Sequence, residues 1–340
     1  MPEKDPCVSV VVPLYNTARY IDSTLQSILA QTFRDFEVVV VNDASSDEGP
    51  QIVAAVMERD QRVRMVTQDN RGLAGARNSG IRAARGRYIA LLDADDLWHP
   101  EKLQRHVAHL EANQDVGVSY SPSKFIDDEG HELGLQQSPK LDGVDAAHVF
   151  CRNPVGNGSA PVIRRAALDE VAFFITALEG ARECWFDESF RQSEDIEMWT
   201  RMAALTHWRF AGIPEALTYY RVNTGGLSAD VEKQFESWSR MRDKIATIAP
   251  RLVAAHGQRA EAYQRRYLAR RLVMNGEGRK ALRYVWQGLC LHPSQLIEEP
   301  ARTLATMATV LVLAILPSKW GRSLPATLGK LKGIPHQTAS

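Results

Sequence analysis

The strongest constraint on the fold is an alternation in the first 120 residues. Short β-branched runs, CVSVVV, FEVVVV, VRMV, YIALL and VGVSY, are separated by amphipathic stretches. Strands spaced by helical segments build a parallel sheet, because a parallel pair needs a crossover long enough to hold a helix. Each run is nearly continuous in apolar residues, as strands become when helices cover both faces. The periodicity between them predicts helices over 18–30, 49–58, 74–84 and 100–113. Ligands of such sheets gather at the carboxyl ends of the strands, where strand order reverses. Functional residues are expected there.

From 121 to 225 the pattern changes. A loop-rich stretch over 127–142 precedes a helix near 144–151 and the Gly-rich NPVGNGSAPVIRR. A helix over 194–205 and the short strands WRFAG and ALTYYR follow. Beyond 228 the stretches 232–248, 261–275 and 278–291 all carry helical periodicity. The expected division is therefore 1–228, made of a first half 1–120 and a second half 121–228 packed on it, followed by a helical region 229–340. The uncharged run Leu304 to Leu316 is thirteen residues long, short of the about eighteen that suggest a spanning helix. Arg302 before it and Lys319, Trp320 and Arg322 after it suit a helix lying in a membrane interface. A buried cap helix or an oligomer contact is the alternative, and the length favours it.

Lys plus Arg number 41 and Asp plus Glu number 41, so the overall field offers no general attraction for nucleic acid. An anionic ligand must be held by local chemistry. Cys7, Cys151, Cys184 and Cys290 form no CxxC pair, which argues against a disulfide framework and a zinc cluster. The nine histidines are isolated, His106 and His109 sharing one helix without an acidic partner in motif spacing. The first apolar run follows Pro2, Glu3, Lys4 and Asp5 and lacks the basic flank of a secretory signal. A cytoplasmic protein with a mature N-terminus is the expectation, peripheral at the inner face of a membrane if the 304–316 run binds lipid.

Two strand ends carry chemistry. ALLDADDLWHP places Asp93, Asp95 and Asp96 after an apolar strand. Such crowding calls for a cation, and carboxylate oxygens are what Mg²⁺ and Mn²⁺ prefer, often together with substrate phosphates. The plainer alternative is a polar turn with Asp96 capping the next helix. VVVVNDASSD places Asn42 and Asp43 at another edge, where Asp43 either accepts from a nucleobase N–H or shapes the turn. NRGLAGARNSG adds Arg71 and Arg77 with Gly72, Gly75 and Gly80, giving cationic donors and close backbone approach. Neither GxGxxG nor a P-loop is present.

In combination VSVVVPLYN, NDASSD, NRGLAGARNSGI, ARGRYIALLDADD and SEDIEMWTRMA resemble glycosyltransferase family 2, an inverting family with the GT-A nucleotide-sugar fold. The motifs cover about residues 7 to 222. The resemblance implies an α/β fold with a mostly parallel sheet flanked by helices. It implies transfer of a sugar from a nucleoside-diphosphate sugar, UDP in the first instance, to a hydroxyl of a glycan or lipid-linked acceptor. It matches Asp95 to the metal-binding position for Mg²⁺ or Mn²⁺ and Asp93 to the ribose side. Asp43 falls at the base-recognising position, while Pro13, Leu14, Tyr15 and Asn16 lie against the nucleoside. Arg77 falls near the sugar or diphosphate, and Asp195, beside Glu194, matches the catalytic base.

Inverting transfer is a single displacement, and a hydroxyl at neutral pH is a poor nucleophile without a positioned base. The plainer reading of Glu194 and Asp195 is an acidic pair complementing the helix dipole, with Ser193 as cap. The chain departs from the family pattern at YYRVNTGGLS, where Asn223 stands in place of a frequent His. It also departs in a lengthened AFFITALEGARECW, where Phe173, Phe174 and Trp185 either line an acceptor groove or belong to the core. Two rival classes are weighed: a non-catalytic sugar-nucleotide-binding scaffold, disfavoured by the intact Glu194–Asp195 pair, and a nucleotidyltransferase, disfavoured because VVPLYNTARY has no glycine.

Overall fold

The computed structural model describes residues 5–177, 180–222 and 230–315. The chain opens β1 (Val8–Leu14), α1 (Ala18–Leu29), β2 (Phe36–Asp43), α2 (Gly49–Met57), β3 (Val63–Gln68), α3 (Gly72–Ala83) and β4 (Tyr88–Leu91). It continues β5 (Leu97–Trp98), α4 (Lys102–Ala112), β6 (Val116–Tyr120), β7 (Ser123–Ile126), β8 (Glu132–Gln137), α5 (Ala146–Arg152), β9 (Val162–Arg164) and α6 (Arg165–Asp169). Next come β10 (Phe173–Ala177), β11 (Gly180–Cys184), α7 (Glu194–Leu205), β12 (Arg209–Gly212) and β13 (Thr218–Arg221). The remaining described elements are helices: α8 (Val231–Ile248), α9 (Pro250–Met274), α10 (Gly278–Leu291), α11 (Gln295–Glu298) and α12 (Pro300–Ile315).

The main sheet has seven strands in the order β12-β6-β9-β4-β1-β2-β3. β1 runs parallel to β2 and β4, β2 to β3, and β12 to β6. Only β9 is antiparallel, wedged between β4 and β6. The mostly parallel α/β sheet is thus as expected, and the chain's step from β3 back to β4 across β1 makes the β1/β4 carboxyl edge a switch point. Alternate valines serve opposite faces, as the two-residue strand period requires. Val10, Val12, Val38 and Val40 pack with Ile21 and Leu25 of α1 and Val53 of α2. On the other face Val11 meets Ala74 and Ile81 of α3, and Val39 and Val41 meet Ala76. Gly80 lets α3 lie close: a Cβ there would come within 2.2 Å of Val11 Cγ1. This approach sets Arg77, one turn earlier, at the sheet's functional edge.

A second sheet, β5-β13-β7-β8, begins directly after the Asp93–Asp96 turn. It contains β8, which falls inside the stretch read as loop-rich, and AFFITALEGARECW contains the antiparallel β10–β11 pair. Helix α9 starts at Pro250, eleven residues before the expected 261. Proline at the first turn costs no hydrogen bond, so it opens the helix. Ala260 and Tyr263 of α9 pack with Phe150 and Cys151 of α5, Ile196 of α7 and Trp238, Met241 and Ile245 of α8. The C-terminal helices therefore sit directly behind α5 and the start of α7. Among the described residues no helix is long and apolar enough to cross a membrane. Helix α12 buries Val310 and Leu313 and exposes Leu304, Leu311 and Val312. Leu316, Lys319, Trp320 and Arg322 lie outside the described residues.

Candidate active site

Two strand-end loops are stapled together at the β1/β2 edge. Pro13 is buried within β1, Tyr15 beyond it is exposed, and Asn16 takes a left-handed φ of 52°, a conformation Asn tolerates better than most residues. Asn16 Oδ1 accepts from the Ser46 amide at 2.9 Å, and Ser45 Oγ lies 3.2 Å from both the Asn16 amide and the Leu14 carbonyl. The Ala18 amide donates to Asp47 at 2.7 Å. The exposed Tyr15 ring thus stands on a loop fixed by β2's turn.

Asp43 is buried and caps α3. Its Oδ1 accepts from Gln68 Nε2 at 2.7 Å and from the Arg71 amide at 2.9 Å; its Oδ2 accepts from the Gly72 amide at 2.8 Å. The first amides of a helix lack intrahelical partners, and a carboxylate satisfies them while complementing the dipole. Of the two uses open to Asp43 in the sequence, shaping the turn is present in this arrangement. Arg71, at the N-cap position of α3, leaves its Nη1 buried without a hydrogen-bond partner.

Arg77 occupies the centre. Its side chain is 2% exposed, with Nη2 2.8 Å from Asp93 Oδ1 and Nη1 2.9 Å from Glu194 Oε1. Residues 93 and 194 therefore meet through one guanidinium whose fork matches two carboxylates. Phe186 lies under it, 5.4 Å from ring centroid to guanidinium carbon. A Cβ at Gly158 would reach 2.0 Å from Nη2, so only glycine admits the arginine here. Burial opposes its charge, but Asp93, Glu194 and Asp195 together overcome this and hold its pKa above the usual value. Burial first, then repulsion from Asp195, outweigh the attraction of Arg77 and push Glu194 up to about 7.

The Asp93–Asp96 turn is held from behind. Ser159 Oγ donates to Asp96 Oδ2 at 2.5 Å and accepts from the Asp93 amide at 3.0 Å. The Arg221 amide donates to Asp96 Oδ1 at 2.8 Å, and its Nε to the Asp95 carbonyl at 2.7 Å. Asp96 is therefore not the cap of α4, whose N-cap position is Glu101 without a side-chain cap bond. Burial, then the charges of Asp95 and Asp93, push Asp96 well above the ordinary carboxylate range. Three carboxylates within four residues form an oxygen-only donor set, and a divalent cation beside the partly exposed Asp95 and Asp93 would relieve their repulsion of Asp96. Among the described residues no group of three or more His, Cys, Asp and Glu closes on one point.

Glu194 and Asp195 open α7, both buried. Asn153 Nδ2 lies 3.4 Å from Asp195 Oδ2, and Oδ1 of Asp195 accepts from the Ile196 amide at 2.7 Å. Ser193 does not cap the helix: it has a left-handed φ of 62° and makes no side-chain cap bond. Just upstream, Asn78 of α3 bonds Phe186 on both sides, accepting from its amide at 2.9 Å and donating to its carbonyl at 2.8 Å. Trp185 and Phe186 are core residues at 2% and 0% exposure. The acceptor-groove reading of Trp185 is thus overturned, because the indole fills the space beneath α3 and α7; Phe174 is exposed. Asn223 lies outside the described residues.

Several supports escape sequence reading. Asn78 and Arg221 lie inside quoted motifs, but their supporting roles are not readable there, since their partners lie more than a hundred positions away. His106 and His109, isolated in sequence, meet at Ser119 Oγ, 2.7 and 2.8 Å from their Nδ1 atoms. The fully buried Lys102 donates to the Ala160 carbonyl at 2.7 Å, next to Ser159. Its i, i+4 spacing to His106 was the only available signal.

Fold and site together define a nucleotide-sugar-transferase type of architecture, and comparison with known proteins agrees. Residues 9–172 match Glycosyl transferase family 2, and the chain carries a domain of that family. Succinoglycan biosynthesis protein ExoO of Rhizobium meliloti is 49% identical over 236 residues, 66% of this chain and 64% of ExoO. Three uncharacterized Rickettsia glycosyltransferases are longer, and the chain spans 29% to 34% of their length. Among solved structures, S. aureus TarS with UDP-GlcNAc matches at a TM-score of 0.59 and 21% identity, covering 89% of this chain and 90% of that one. The mannosyltransferase PcManGT of Pyrobaculum calidifontis, with GDP-Man and Mn²⁺, matches at 0.58 and 22%, covering 97% and 88%. The shared fold is GT-A.

Proposed function

We propose that the chain is an inverting, metal-dependent glycosyltransferase that moves a sugar from a nucleoside-diphosphate sugar, UDP in the first instance, to a hydroxyl of a glycan or lipid-linked acceptor. The observation that carries this reading is the bridge through Arg77, which joins the Asp93 turn to the Glu194–Asp195 helix start. A metal-binding turn and a basic carboxylate are the two parts the reaction needs. The likeness to a succinoglycan biosynthesis protein supports a glycan acceptor.

In this reading Pro13, Tyr15 and Asn16 face the nucleoside, and Asp43 and Arg71 fix the base side through α3. Asp93 meets the ribose, and Arg77, held by Glu194, faces the sugar or diphosphate. A Mg²⁺ or Mn²⁺ ion at Asp95 would neutralise charge on the leaving diphosphate. The acceptor oxygen attacks the anomeric carbon, the bond to the diphosphate breaks on the opposite face, and Asp195 takes the hydroxyl proton. Such a base contributes about 10²–10⁴-fold. In this reading residues 1–120 form the nucleotide-sugar half and 121–228 the acceptor half, with the helices from 231 packed behind α5 and α7.

Asp195→Asn preserves shape without basicity. Turnover of UDP-sugar should fall by about 10²–10⁴-fold while calorimetric UDP affinity is retained; full turnover would remove Asp195 from the mechanism. Asp95→Ala should abolish the Mn²⁺ dependence of UDP binding, and identical titrations with and without EDTA would dismiss the ion site.

A further inference from the structure

A second concentration of charge, buried at Arg266 and partly exposed at Arg152, Arg270, Glu299 and Arg302, lies on the far side of Asn153, where α5, the loop after β8, α9 and α12 line an open cavity of about 340 Å³. That volume is within the range of small-ligand sites. Its wall carries Lys140, Arg152, Arg266, Arg270 and Arg302 against the single carboxylate of Glu299. Arg152, Arg266 and Arg302 all bond Glu299, the last at 3.3 Å. Arg270 makes no ion pair with a described carboxylate; it donates to Thr306 Oγ1 at 2.9 Å and to the Arg302 carbonyl at 3.3 Å.

A guanidinium does not shed its proton in a protein, so an excess of them around a half-buried cavity favours an anion there. Burial, followed by repulsion from its neighbours Arg152 and Arg270, pushes Arg266 down to about 9, although it is 4% exposed and bonded to Glu299. Burial and the charge of Arg302 do the same to Arg270, down to about 10. The Tyr263 ring lies 4.1 Å from the Arg152 guanidinium carbon and 4.9 Å from that of Arg266, which holds both forks in place. Rigid arginine forks are suited to bidentate recognition of phosphoryl oxygens.

We propose that this cavity is a phosphoryl-binding site for a diphosphate group, built jointly by the sugar-nucleotide domain and the C-terminal helices. Asn153 lines the cavity and its amide faces Asp195, so the bound group is the anionic handle of the acceptor; this last clause rests on the catalytic reading above, whereas anion binding does not. The diphosphate belongs either to a lipid-linked acceptor or to a soluble one. The exposed Leu304 and Leu311 on α12, the helix that also carries Arg302, are the apolar surface a lipid would use.

The test is calorimetry of inorganic pyrophosphate with the full chain in EDTA, which silences a metal-dependent donor site. Wild type should bind; Arg270→Gln should weaken binding about ten- to a hundredfold, the worth of one hydrogen bond to a charged group, and Arg270→Lys, which keeps the charge but not the fork, should restore part of it. Lys140→Gln, at a side chain bonded only to the Gly143 carbonyl, serves as a second variant should Arg270→Gln fail to fold, and should also weaken binding. Asp95→Ala should bind pyrophosphate as wild type does. No binding by wild type, or binding that is lost in Asp95→Ala and unchanged in the Arg270 and Lys140 variants, would overturn the site. In a second arm, farnesyl diphosphate binding more tightly than pyrophosphate, with the gain lost in Leu304→Ser/Leu311→Ser, identifies a lipid-linked source; equal affinity identifies a soluble one. Retained turnover in Asp195→Asn would end the catalytic reading and leave these titrations untouched.

Discussion

Among the described residues two charge clusters of opposite imbalance stand out, one buried and one half-buried. Around Arg77 one cation faces Asp93, Glu194 and Asp195, with Asp95 and Asp96 on the adjoining turn. Around Glu299 one carboxylate is shared by three arginines while a fourth bonds only neutral oxygens. The same rule acts on both: charge removed from water needs a counter-charge, and what the protein withholds a ligand supplies. On the proposals above, the first cluster would take a cation and the second an anion. The two differ in support. Carboxylates of the first are also held by Ser159 and backbone amides, whereas the second rests on its single glutamate, two threonines and ring faces.

The sharpest break in this comparison is Arg77→Gln. It leaves the carboxylates without their shared cation and should cost about 3–5 kcal/mol in urea unfolding, with Mn²⁺ and not pyrophosphate restoring part of it. Glu299→Gln should act in mirror image, at the lower end of that range, about 3 kcal/mol, because Glu299 keeps 19% exposure; here pyrophosphate and not Mn²⁺ should restore stability. Recovery by the same ion in both variants would make the two clusters alike and end the contrast.

Glu194 sharpens the picture through pH. Its native pKa, pushed up to about 7, lies above the ordinary carboxylate value, so the folded state holds an extra proton in between. That stabilising contribution is complete below the unfolded pKa and is lost as pH rises through about 7, with a slope of up to about 1.4 kcal/mol per pH unit. Glu194→Gln should flatten this slope in urea titrations across pH 4.5 to 7; an unchanged slope would remove Glu194 as its source. The smallest effect is expected where charge is balanced. Asp43→Ala removes the cap of α3 and should cost about 1 kcal/mol, read as a shift in urea midpoint with no response to either ion.

Much of this was legible in the chain. Near-continuous apolar runs and period-3.6 stretches mark β1 to β4 and their helices, since each strand's valines must meet a covering helix on both faces. Asp93, Asp95, Glu194 and Asp195 stand out as carboxylates at strand and helix ends in motif spacing, although each also has a plain structural use. Trp185 left a groove or a core reading open, with core the commoner fate of such aromatics, and packing decided for the core. Asn78 and Arg221 were silent because each acts on backbone groups far away, and a backbone carbonyl carries no residue type to read. The arginine cavity was hidden in the same way, since Arg152 and Arg270 are more than a hundred positions apart.

The sequence alone determined the layered α/β plan and the chemistry at each strand end, because periodicity and residue type are local properties. Only the tertiary structure decided which charges share a space. The Arg77 bridge and the Glu299 hub each depend on helices meeting across long separations, where burial rather than spacing sets the electrostatic cost. That is why the proposed metal and phosphoryl sites can be told apart by their charge surroundings and not by their spacing.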